Sequence, residues 1–198
     1  IKLIVFRMCG ILGAYNSTIN INKFKESLNL LSHRGPDNQD VFIDKLSNLI
    51  LGHTRLSIID LSDTANQPFT SEDGRYTITY NGEIYNFLEI KNELIKKGFR
   101  FKSDSDTEVL IMLYDFDRYN MLNKLNGIFS FAIWDKLEKE LFLARDNHGV
   151  KPLYYYEVES TFLFSSEIKS INLLLDNSNS INYESLCDYL TFHYSVNE

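Results

Sequence analysis

The sequence predicts an α+β domain. Strand-like runs return through short polar turns rather than through regular strand–helix–strand units. Helical segments come between blocks of strands instead of alternating with them, and there is no internal repeat.

An apolar strand opens at Met8-Cys9-Gly10-Ile11-Leu12-Gly13 and continues to Tyr15, before a turn-like Asn16–Asn20. Lys23–Ser32 reads as a helix with Phe24, Leu28 and Leu31 on one face. His33-Arg34-Gly35-Pro36-Asp37 ends it with a rigid bend that sets a cation beside an anion, as a salt-bridged surface turn would. Val41–Ile43 and Leu49–Ile59 read as paired strands, followed by a polar connection over Leu61–Ser71. Tyr76–Tyr80 is β-rich and runs into Asn81-Gly82, a dipeptide that signals a hairpin turn or, with its amide and backbone N–H, a two-donor anion hole. Phe87–Lys97 is a helix stopped by Gly98. The next helix runs to Asp117 behind a capping box of Ser105 and Glu108. From Gly127 the pattern returns to strands: Ile128–Asp135, Glu140–Arg145, an aromatic strand at Tyr154–Tyr156, and Thr161–Ser165. Glu167–Leu175 and Tyr183–Phe192 are helical, joined by the polar linker Asp176–Asn182. Cys187, beside Leu186 and Leu190, reads as core.

A length of 198 residues suits one domain or slightly more, and 44% hydrophobic with 24% charged residues is ordinary globular composition. A net charge of -7 argues against nucleic acid as the main partner. Two cysteines, Cys9 and Cys187, make neither a disulfide framework nor a metal-ligand spacing, so a cytoplasmic setting is expected and no metal. No apolar run is long enough to span a bilayer, and no membrane partner is expected.

Three residues carry a choice between structure and chemistry. Cys9 is an ordinary buried cysteine or, if Met8 is the initiator and is removed, a terminal residue bearing a thiol and a free amine. The amine's reference pKa is about 7.7–8 and the thiol's about 8.5, so the amine can relay the thiol's proton without a histidine. Arg55, in a largely apolar strand, either snorkels from an edge or meets an anion. Asp106 either favours the positive end of its helix or points at a ligand's ammonium.

In order, the chain contains Met-Cys-Gly-Ile-Leu-Gly from Met8, His33-Arg34-Gly35-Pro36-Asp37, Arg55-Leu56-Ser57-Ile58-Ile59, Tyr80-Asn81-Gly82-Glu83-Ile84-Tyr85-Asn86 and Ser105-Asp106-Thr107-Glu108. Arg145-Asp146 with Gly149-Val150-Lys151-Pro152-Leu153-Tyr154, and Phe164-Ser165-Ser166-Glu167-Ile168-Lys169, complete the series. The set resembles the glutaminase domain of class II (N-terminal nucleophile) glutamine amidotransferases, above all that of glutamine-hydrolysing asparagine synthetases. The resemblance implies a four-layer α-β-β-α sandwich of two antiparallel sheets, and hydrolysis of glutamine to glutamate and ammonia through a thioester. It makes Cys9 the nucleophile and Asn81 with Gly82 the oxyanion hole. It assigns Arg55 to the glutamine α-carboxylate and Asp106, with Glu83 nearby, to its α-ammonium. Leu56, Ser57, Ile58 and Ile59 would line the pocket, and Arg34 would brace the Cys9 loop.

It further implies an ammonia-accepting synthetase domain using aspartate, ATP and Mg, with no cofactor in the present domain, and it admits a homodimer. Residues 1–8 are then expected to be a leader or a start set too early. Residues 9–198 would be the amidotransferase domain of a longer protein, since the Ser-Gly-Gly-x-Asp-Ser loop of a synthetase is absent from this sequence. Asn147-His148 departs from the family's usual residues, away from the chemistry. Two alternatives stand beside this reading. One is a glutaminase domain serving a polysaccharide-modifying relative or a sugar-phosphate aminotransferase; the other is a silent interaction module if Cys9 is never terminal.

Overall fold

A computed structural model describes residues 8–56, 66–175 and 180–194. It contains a five-stranded sheet in the order β2-β3-β1-β9-β8 and a four-stranded sheet in the order β4-β5-β6-β7, every pairing antiparallel. The first sheet is built from β1 (Gly10–Tyr15), β2 (Asn38–Asp44), β3 (Leu49–Arg55), β8 (Tyr154–Val158) and β9 (Thr161–Ser165). The second is built from β4 (Phe69–Thr70), β5 (Tyr76–Ile84), β6 (Gly127–Asp135) and β7 (Glu140–Arg145). The helices are α1 (Ile21–Asn29), α2 (Phe87–Lys96), α3 (Asp106–Asp117), α4 (Ile168–Leu174) and α5 (Tyr183–Phe192), and a 3-10 segment (Arg118–Lys124) follows α3.

Strand periodicity explains the layering. Successive side chains of a strand point to opposite faces, so Leu12 and Ala14 of β1 pack with Phe24 and Leu28 of α1 and Ile171 and Leu174 of α4. Ile11 points the other way and joins Leu49, Leu51, Phe164, Ala132 and Trp134 between the sheets. On the far side, Tyr76, Ile78 and Tyr80 of β5 meet Ile90 and Leu94 of α2 and Val109, Leu110 and Leu113 of α3. The result is the expected α-β-β-α sandwich. Polar groups between the sheets are paired across the gap: Thr79 donates to the Gly52 carbonyl at 3.1 Å, and Trp134 Nε1 to Asp44 at 3.2 Å.

The structure corrects four expectations. Asn81-Gly82 is not a hairpin turn: β5 runs straight through it, with Asn81 opposite Ser130 and Gly82 opposite Phe129. Glycine is needed there because a Cβ would strike the Ile128 carbonyl and Phe129 Cα, so close backbone approach and not turn geometry explains it. Arg55 is no edge residue, because β3 lies between β2 and β1 and Arg55 is only 8% exposed. Cys187 is exposed rather than core, since α5 has no buried residue. The capping box is half formed. Ser105 accepts from Thr107 N at 3.2 Å, but Glu108 reaches back to the backbone of Lys102 and Ser103 instead of Ser105.

The sandwich brings one end of several strands together. Cys9 precedes β1, and Gly10 pairs with Thr54, next to Arg55 at the end of β3. The Arg34-Gly35-Pro36-Asp37 bend is not a free surface turn. Asp37 N donates to the Arg55 carbonyl at 3.0 Å, and a Cβ at Gly35 would collide with the backbone of Thr54 and Arg55.

Candidate active site

A cavity of about 270 Å³ opens at this end of the sandwich. That is near the small end of ligand pockets, roughly 300–1,000 Å³, and suits a molecule of amino-acid size. Cys9, Arg55, Leu56, Asn81, Gly82, Glu83 and Asp106 all line it, so the structure collects in one place residues chosen from four stretches of sequence. Ser57, Ile58 and Ile59 lie outside the described residues. Arg34 stands behind the wall.

The nucleophile candidate is held from two sides. Leu56 N–H points at Cys9 Sγ at 3.4 Å. Arg34 Nε donates to the Cys9 carbonyl at 3.1 Å, while its Nη1 is held by Glu167 at 3.1 Å. Burial pushes the Cys9 thiol above its ordinary range; the Leu56 N–H and the positive charges of Lys151 and Arg55 oppose it.

Asp106 occupies the first position of α3, where exposed backbone N–H groups favour a carboxylate. Its Oδ2 accepts from Tyr80 Oη at 2.7 Å and from Ile84 N at 3.2 Å. Burial nevertheless raises its pKa, and among the described residues no cation pairs with it. Arg55 reaches Asn66 Oδ1 with Nη1 at 2.6 Å. A buried guanidinium and a half-buried carboxylate thus face the same cavity, with exposed Glu83 at its rim. Asn81 is 2% exposed, and its amide nitrogen has no partner among the described residues. A buried N–H donor left unpaired is costly unless a ligand takes it.

The structure adds wall residues that sequence reasoning did not single out. Gln67 accepts from Tyr80 N at 2.7 Å and donates to Thr107 at 3.4 Å, tying β5 to the start of α3. His53 donates through Nε2 to the Tyr80 carbonyl at 3.1 Å, and burial lowers its pKa to about 4, so it is a neutral ring. Lys151 enters from the turn after β7. Its forewarning in sequence is its place in the charged turn between Arg145 and Tyr154, one of the stretches that carry the family resemblance. Among the described residues no cluster of side chains could hold a metal ion, and no helix is long and apolar enough to cross a membrane.

Comparison with known proteins addresses the family and the fold. The chain is 39% identical over 193 residues to asparagine synthetase [glutamine-hydrolyzing] 1 of Bacillus subtilis, covering 94% of this chain and 30% of that protein. It is 39% identical over 150 residues to amidase chry2 of Gibberella zeae, covering 76% of this chain and 22% of that one. The chain therefore spans less than a third of the length of these relatives. Among solved structures, the glutamine phosphoribosylpyrophosphate amidotransferase of B. subtilis superposes with a TM-score of 0.70 at 23% identity, over 84% of this chain and 43% of that one, and shares the fold. The family model for the glutamine amidotransferase domain matches residues 8–198, and the chain belongs to that family.

Proposed function

We propose that the domain hydrolyses glutamine to glutamate and ammonia through a thioester on Cys9. The observation that carries this is the convergence of Cys9, Arg55, Asn81, Gly82 and Asp106 on one cavity. Arg55 takes the α-carboxylate, whose planar oxygens suit a guanidinium fork. Asp106 takes the α-ammonium, which supplies the cation its half-buried carboxylate lacks. With both charged ends held, the side-chain amide of glutamine lies at the thiol. Glutamate would bring a second carboxylate to an electron-rich sulfur, and asparagine would fall one methylene short.

Sγ of Cys9 attacks the amide carbon as the thiol proton passes to the residue's own α-amine. The carbonyl oxygen becomes an oxyanion between the Asn81 amide and the Gly82 N–H. The C–N bond then breaks, the proton moves from the α-ammonium to the departing nitrogen, and ammonia leaves. Water, deprotonated by the same amine, attacks the thioester, and glutamate departs as the thiol re-forms. The amine must be free, so the active form begins at Cys9, whose nitrogen is otherwise a peptide nitrogen bonded to Met8.

The ammonia serves an acceptor domain in the longer protein. Relatives named glutamine-hydrolysing asparagine synthetases support an asparagine synthetase as that acceptor; on this reading it acts on aspartate with ATP and Mg, in the cytoplasm. Fungal relatives named amidases support a second reading, in which the same site feeds a different acceptor.

The test is a glutamine analogue with an electrophilic carbon in place of the amide. It should label Cys9 alone in protein whose intact mass shows Cys9 at the N-terminus, and Cys9→Ala should release no ammonia. Label on exposed Cys187, or full turnover with Met8 still attached, would overturn the mechanism.

A further inference from the structure

Lys151 has a cationic side chain in the cavity with a backbone fixed more tightly than a surface lysine needs. The Asp146 carboxylate accepts four backbone N–H groups: His148 at 3.1 Å and Val150 at 3.0 Å on Oδ1, and Lys151 at 3.1 Å and Phe129 at 3.2 Å on Oδ2. Arg145 Nε donates to the Lys151 carbonyl at 2.8 Å, and Gly149 turns the chain with φ +61. The half-buried side chain that results has no carboxylate partner among the described residues. Its Nζ rests 3.1 Å from Met8 Sδ, a weak acceptor, on the residue bonded to the Cys9 nitrogen. Glu83 and Asp146 act on its charge from a distance without a salt bridge, and burial still disfavours the charged form, so a partly desolvated ammonium placed so is costly unless its charge is used.

The other charges around Cys9 are largely committed. Arg34 is held by Glu167 and the Cys9 carbonyl, Arg55 by Asn66, and Asp146 by its four N–H groups. Asp106 is held by Tyr80 and Ile84, His53 is neutral, and Glu83 sits exposed at the rim.

We propose that Lys151 is a positioning residue whose positive charge, held in no salt bridge among the described residues, activates Cys9. The inference rests on the glutaminase reading. With Met8 gone, the α-amine is exposed to the ammonium of Lys151, which disfavours a second positive charge there and keeps the amine neutral. The same charge draws the thiol toward thiolate. Once the thiol proton has passed to the amine, the repulsion drives it on to the departing nitrogen as the C–N bond breaks.

The test compares Lys151→Met and Lys151→Arg, in a Cys187→Ser background, in protein whose intact mass confirms Cys9 as residue one. The pH midpoint of Cys9 alkylation by iodoacetamide should rise by about one unit in Lys151→Met and return in Lys151→Arg. The acid limb of kcat/KM for glutamine should move with it, so that turnover falls about tenfold near pH 6.5 and recovers in alkali. A loss that is uniform across pH, with an unmoved alkylation midpoint, would reduce Lys151 to packing and overturn the proposal. The alkylation arm needs no glutamine. A shifted midpoint without turnover in any variant would uphold the charge effect and sink the glutaminase reading, whereas normal turnover with unmoved midpoints would do the reverse.

Discussion

Arg34 Nε donates to the backbone carbonyl of Cys9 at 3.1 Å, across 25 residues of sequence. The carbonyl belongs to the residue whose thiol faces the cavity, and the guanidinium is itself clamped by Glu167, which also binds His33 at 2.9 Å and Lys169 at 3.0 Å. Arg34 therefore sets the angle at which Cys9 enters β1. Arg34→Ala should lower kcat by about tenfold or more, because misplacing a reacting atom by about 1 Å costs up to a hundredfold. Glutamine KM should change little. Steady-state kinetics separate the two, and an equal rise in KM would place Arg34 in substrate binding.

Arg55 and Asp106 should behave in the opposite way. Arg55→Ala and Asp106→Ala each remove one partner of a charge pair with bound glutamine, at roughly 2–5 kcal/mol. The loss should appear mainly as a raised KM. Tyr80→Phe takes only one of the two hydrogen bonds to Asp106 Oδ2 from Tyr80 and Ile84 and should raise KM by less. Unchanged KM in the first two variants would mark both residues as structural.

Asn81→Ala should cut kcat by about a hundred- to thousandfold with little effect on KM, since an oxyanion donor acts mostly in the transition state. The same variant should not destabilise the fold, because its amide nitrogen has no partner to lose. Thermal melting checks the second half of that expectation.

His53 gives a pH dependence of stability with a definite sign. Its folded pKa, about 4, lies below the ordinary 6.5 because burial disfavours the charged ring. The unfolded chain therefore binds the extra proton first as pH falls. The stabilisation is complete above pH 6.5 and drains away as pH drops from there through about 4, amounting to about 3 kcal/mol. His53→Gln, which can keep the bond to the Tyr80 carbonyl, should flatten that part of the curve in denaturant titrations. An unaltered acid limb would assign it to other groups.

The sequence by itself determined the elements and singled out the residues proposed for the chemistry. The bounds of α3, β7, β9 and α5 follow from apolar period and turn residues, which are local properties that a chain displays before it folds. Local setting marked Cys9, Arg55 and Asp106 as unusual but left each between a structural and a chemical reading; the ordered series of motifs that carries the family resemblance suggested the chemical one. Tertiary structure decided what local pattern cannot express. The Asn-Gly pair sits inside a strand because Phe129 and Ile128, far along the chain, press against Gly82. Cys187 is exposed because an amphipathic helix shows which face is apolar but not whether anything covers it. Tyr80 and His53 join the site through hydrogen bonds spanning 26 and 27 residues, and Lys151 meets Met8 across 143. Such contacts arise only when the two sheets stack and the ends of distant strands are brought over one cavity.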